Sequence, residues 1–149
     1  MLWVSGCDIH CKNCHNQSTW DFNSGQLFTE DTMQEILLTL TKPYISRLTL
    51  SGGHPLDPHN APKVLEIVKC VKMVFPNKDI WIYSGYVWED IIKDDILKEI
   101  LKRTDVLVDG AYIDELRDIS LAFKGSSNQR IIDVQKSLAE NKIILWEEV

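Results

Sequence analysis

The sequence predicts an α/β fold with a mostly parallel sheet, and three observations lead there. Short apolar runs alternate with amphipathic helical segments along most of the chain. Four of those runs end in small residues, as strands do before a connecting turn. The length of 149 residues, 44% of them hydrophobic, suits one compact domain, residues 1–149, with a substantial core.

The elements follow in order. The first run is Leu2–Val4, leading into Ser5-Gly6-Cys7. Thr29 is placed to cap a helix, with Glu30 and Asp31 in its first turn. Met33, Ile36, Leu37 and Leu40 then fall at i, i+3, i+4 and i+7, one helical face. The second run, Arg47–Ser51, leads into Gly52-Gly53. Asn60 can cap a second helix, with Pro62 tolerated in its first turn. Its buried face is Val64, Ile67, Val68, Val71 and Phe75, and Pro76 ends it. The third run, Ile80–Ser84, leads into Gly85. A third helix carries Ile92, Ile96, Leu97, Ile100 and Leu101. The fourth run, Val106–Asp109, leads into Gly110, and a later pair, Arg130–Asp133 and Lys142–Trp146, completes the pattern. Repeated strand–helix–strand units imply parallel pairing with right-handed crossovers. Ligands of such sheets bind at the C-terminal strand ends, where glycine lets them approach the backbone. Four small-residue turns, one running into cysteines, mark a shared ligand edge.

Composition excludes several function classes. With 16 basic and 22 acidic residues the net charge is −6, and no Lys/Arg run marks a nucleic-acid surface. The apolar runs are too short to span a bilayer, so no membrane role is expected. No leader pattern stands out in these residues, so a cytoplasmic chain is expected. There, clustered cysteines are metal ligands or redox groups more often than disulfides.

The chemistry concentrates in "SGCDIHCKNCHN", where Cys7, Cys11 and Cys14 are spaced C-x3-C-x2-C. Structural zinc usually takes four protein ligands, and His10 or His15 offers a fourth, so zinc is the alternative. Three thiolates from one short loop suit a face of an iron–sulfur cube better. A [4Fe-4S] cluster normally takes four cysteines. With three, one iron lacks a protein ligand, and a substrate can chelate it.

This loop resembles the signature of the radical S-adenosylmethionine (SAM) superfamily. The resemblance narrows when "LWVSGCDIHCKNCHNQSTW", "NSGQLFT", "LTLSGGHPL", "KDIWIYSGY", "DVLVDG" and "GSSNQR" are taken together. They resemble the activating enzymes of anaerobic (class III) ribonucleoside-triphosphate reductase. The resemblance implies a partial (β/α) barrel with a [4Fe-4S] cluster at its C-terminal mouth. It implies reductive cleavage of SAM to methionine and a 5′-deoxyadenosyl radical, which takes a hydrogen from a glycine of the large reductase subunit. It implies a reduced electron donor such as a flavodoxin. By position, Cys7, Cys11 and Cys14 hold the cluster. Asn13, Cys14 and His15 line SAM, and the Gly52 and Gly53 backbone meets its methionine moiety. Ser84 and Asp109 are further candidates for that pocket. Beyond the cluster and SAM, no catalytic side chain is implied. Activases of other glycyl-radical enzymes, of formate-lyase type, and small-molecule radical SAM enzymes share the cluster loop and are the alternatives.

Three departures from the family pattern stand out. The usual segment before the first strand is expected to be missing or shortened, His54 stands where the family pattern has an acidic residue after the two glycines, and Ala111 where it has a lysine. A carboxylate at position 54 accepts a hydrogen bond from the SAM ammonium group, which an imidazole does less well. Elsewhere the expectations are plain. Cys70 is a buried free thiol, and His59 lies at the surface. The tryptophans are core or rim, with Trp20 shielding the cluster loop. "GSSNQR" is a polar turn before a strand, and the acidic stretch Trp88–Asp95 is a solvated helix face.

Overall fold

A computed structural model describes residues 1–7, 9, 11–12, 14, 20–23 and 25–147. A five-stranded sheet in the order β1-β2-β3-β4-β5 forms its centre. The strands are β1 (Leu2–Val4), β2 (Arg47–Gly52), β3 (Asp79–Tyr83), β4 (Val106–Asp109) and β5 (Arg130–Asp133). The first four pair in parallel, and β5 runs antiparallel to β4. All four parallel strands therefore end at one edge, each in a turn of small residues. The expected partner of β5 forms a single antiparallel bridge, Ile132 to Leu145, rather than a full strand.

The helices are α1 (Glu30–Leu40), α2 (Ala61–Val74), α3 (Trp88–Ile91), α4 (Asp95–Leu101) and α5 (Val134–Glu140). Strand alternation sends Leu48, Leu50, Ile80, Ile82, Leu107 and Ile132 into one core. The helical stripe Val64, Ile67, Val68 and Val71 packs against them, as its spacing predicts. On the other sheet face Trp81 packs edge-on to Phe123 and Trp146, and the Arg47 guanidinium lies 4.2 Å from the Trp81 ring centre.

Thr29 caps α1 as expected: its side chain accepts from the Thr32 N–H, while its own N–H donates to the Thr32 hydroxyl. Three helix expectations are corrected. The third helix is two, because Asp94 accepts from the N–H groups of Ile96 and Leu97 and starts α4 afresh. Ile92 and Ile96 consequently lie exposed at the break. The stretch expected to be a solvated face also buries Trp88 and Ile91, leaving its acidic residues outside. Asn60 stands at the N-cap of α2 but makes no capping bond. Its side-chain amide donates instead to the carbonyls of Ser5 and His54, both at 3.0 Å. Cys70 is half-buried rather than buried.

Candidate functional site: the cysteine loop at the strand ends

The cysteine loop begins directly after β1, and neighbouring strand ends hold it in place. From β2, the Gly53 N–H donates to the Val4 carbonyl and the His54 N–H to the Gly6 carbonyl, both at 2.7 Å. From β3, Gly85 lies under Ile9: a Cβ there would stand 2.1 Å from Ile9 Cδ1. From beyond β4, the Tyr112 backbone N–H bonds to the Cys11 thiol. The Cys7 N–H donates to the Trp20 carbonyl at 3.1 Å, which closes the loop on itself. Trp20 thus joins the loop through its backbone, with its side chain half-buried.

Cys7 is buried, while Cys11 and Cys14 are half-buried, and none of the three is in a disulfide. Burial pushes the Cys11 thiol above its ordinary pKa; the Tyr112 N–H opposes this, and the charges of Cys14 and Cys7 push the same way. Iron cations bound there would relieve the repulsion acting on Cys11. Among the described residues no three His, Cys, Asp or Glu side chains are already gathered as a metal site. The donor set, three thiols in one loop against backbone, fits a thiolate-ligated cluster. Asn13 and His15, named from the sequence as SAM contacts, lie outside the described residues.

The Gly52 backbone is a built feature of this edge. Its φ of 103° is disfavoured for any side chain, and a Cβ would stand 2.6 Å from the Val4 carbonyl oxygen. The obstacle is backbone of the neighbouring strand, so it cannot move aside. Gly52→Ala is therefore expected to cost about 2–4 kcal/mol of stability, measured by urea unfolding. A loss under about 0.5 kcal/mol would contradict this packing.

The further pocket candidates are committed elsewhere. Asp109 is fully buried; its Oδ2 accepts from the Trp88 N–H at 2.8 Å and its Oδ1 from Arg130 Nε at 3.0 Å. Arg130 also forks onto Glu89, at 3.1 and 3.0 Å. The hydrogen bond from Arg130 holds the Glu89 carboxyl below its usual range. Asp109 is therefore an anchor between β4, α3 and β5, not a pocket group, because burial requires its charge to be paired. The "GSSNQR" segment is a polar turn, as read from sequence, and it binds the Gly110–Ala111 backbone. Gln129 Nε2 donates to the Gly110 carbonyl at 3.0 Å and Asn128 Nδ2 to that of Ala111 at 2.9 Å.

Sequence reasoning missed the environment of His54. Its side chain does not stand open toward a ligand; the residue is 2% exposed. Nε2 lies 2.8 Å from Ser84 Oγ and accepts from the Gly85 N–H at 3.2 Å. The ring meets Tyr86 edge-on at 4.2 Å. Burial lowers the His54 pKa from 6.5 to about 4, with the Asp57 charge opposing. Unfolded chains therefore bind this proton more readily than the native state. The resulting stability is full above pH 6.5 and is lost as pH falls toward 4. Relative to His54→Gln, the protein is expected to lose about 2 kcal/mol between pH 7.5 and 5, by urea unfolding at each pH. A difference independent of pH would contradict a neutral buried ring. His59, as expected, is exposed, and its Nδ1 pairs with Asp57 at 2.9 Å.

A family model described as a 4Fe-4S single cluster domain matches residues 1–132. The chain is 45% identical over 131 residues to the anaerobic ribonucleoside-triphosphate reductase-activating protein of Enterobacteria phage T4, covering 88% of this chain and 81% of that protein. It is 44% identical over 132 residues to the protein of that name from Vibrio cholerae serotype O1, covering 87% and 84%. The one from Escherichia coli (strain K12) is 41% identical over 130 residues, covering 86% and 83%. No solved structure matches the chain. On these identities, and with a cluster-domain match over nearly its whole length, the chain belongs to the family of anaerobic ribonucleoside-triphosphate reductase-activating proteins.

Proposed function

We propose that this protein activates anaerobic ribonucleoside-triphosphate reductase by generating a glycyl radical in its large subunit. The observation that carries the reading is the convergence of β2, β3 and the segment after β4 on a loop with three cysteines, none in a disulfide. Cys7, Cys11 and Cys14 would hold a [4Fe-4S] cluster and leave one iron for SAM. Asn13, Cys14 and His15 would line SAM on the loop side, and Gly52 and Gly53 on the sheet side. When bound and reduced, the cluster supplies the electron that cleaves SAM to a hydrogen-abstracting adenosyl radical. The chain's own residues hold and orient. Asn60 ties the Ser5 carbonyl to the His54 carbonyl, which fixes the loop against β2. Arg130 and Asp109 fix the β4 end, from which Tyr112 reaches Cys11.

The sheet, in this reading, is a partial (β/α) barrel of the radical SAM type, smaller than a full eight-stranded one. An open flank suits a protein substrate, because a docked reductase would exclude water where the chain itself does not. A reduced flavodoxin is the kind of donor this chemistry needs, and the cytoplasm is the compartment that supplies it. Among the described residues no helix is long and apolar enough to cross a membrane. The test is anaerobic reconstitution with iron and sulfide, then addition of dithionite and SAM. Methionine and 5′-deoxyadenosine are expected in equal amounts. Stoichiometric zinc uptake with no iron would overturn the proposal.

A further inference from the structure

The turn after β2 and the turn after β3 touch through one side chain. His54 Nε2 bonds Ser84 Oγ at 2.8 Å and accepts the Gly85 N–H at 3.2 Å. The Tyr86 N–H donates to the same Ser84 Oγ at 3.0 Å, and Tyr86 packs on the His54 ring. At its other end His54 is held by backbone: its N–H donates to the Gly6 carbonyl, and its carbonyl accepts from Asn60. His54 therefore joins three strand ends: its backbone holds the β1 end, and its ring holds the β3 end.

A backbone N–H can only donate, so Nε2 carries no proton, and the neutral ring bears it on Nδ1. Nδ1 is buried with no hydrogen-bond partner among the described residues. An unpaired buried donor is costly and persists where the surroundings over-determine the ring position. We infer that His54 is a positioning residue: it acts as an acceptor latch that sets the Gly52-Gly53 turn against the Ser84-Gly85 turn, and so the width of the SAM site, without itself contacting SAM. The inference rests on the proposed reading that these turns flank SAM.

The chemistry of the latch separates two substitutions of similar bulk. In His54→Gln the amide oxygen reaches the place of Nε2 and accepts again. In His54→Asn the amide ends near the place of Nδ1 and leaves the Gly85 N–H unpaired. Three readouts on the reconstituted protein decide the matter: the nitrogen-15 spectrum of the His54 ring, the SAM affinity by titration, and the iron content. The expected result is an Nδ1-protonated ring, with SAM binding within about threefold of wild type in His54→Gln and weakened about tenfold in His54→Asn, iron content being unchanged. An Nε2-protonated ring overturns the latch, as does equal SAM affinity in the two variants. Wild type that binds no SAM overturns the cofactor reading instead, and the ring spectrum then still decides the latch.

Discussion

Replacing Cys7, Cys11 or Cys14 singly with alanine is expected to abolish the cluster and, with it, all reductive SAM cleavage. A cube held by three thiolates has no spare protein ligand, and losing one leaves two irons open. Iron analysis after anaerobic reconstitution should show loss of most bound iron in each variant. Absorption near about 400 nm, characteristic of thiolate-ligated clusters, should vanish with it. Cys70→Ala, on α2 and away from the loop, should keep both. Retention of cluster and cleavage in any of the three loop variants would show that the ligand set has been assigned wrongly.

The second large effect is expected at Arg130. Arg130→Met removes the cation and leaves the fully buried Asp109 carboxylate with the Trp88 N–H alone on its Oδ2. Breaking one side of such a pair costs about 3–5 kcal/mol, because the remaining charge is stranded away from water. The partly exposed link to Glu89 adds little, so Glu89→Ala should cost under about 1 kcal/mol. Urea unfolding separates the two. The double change Arg130→Met with Asp109→Leu should recover much of the loss, since an apolar pair leaves no stranded charge. No recovery would mean that the ion pair is not the source of the cost.

What could be read from the sequence, and what could not, divides along chain separation. The α2 stripe and the Thr29 cap are local patterns, and they hold in the structure. The cysteine loop is also local, and it alone suggests the chemistry. The break between α3 and α4 was signalled by Asp94, a good capping residue just before an apolar stripe, but the apolar periodicity ran straight across it. Asp109 and Arg130 are 21 positions apart, and His54 and Ser84 are 30 apart. No local period relates such pairs; the antiparallel β4–β5 register brings the first together and the parallel β2–β3 register the second. The same parallel pairing explains the course of the His54 side chain. The Gly53 N–H is bonded to Val4 and that of His54 to Gly6, and the His54 side chain is directed to the next strand end instead of outward.

The most direct test of the account mixes the reduced, reconstituted protein with SAM and the large subunit of an anaerobic ribonucleoside-triphosphate reductase. Electron paramagnetic resonance should then show a glycyl-radical doublet on the reductase, dependent on SAM and absent with Cys11→Ala. SAM cleavage with no glycyl signal on the reductase would contradict the account.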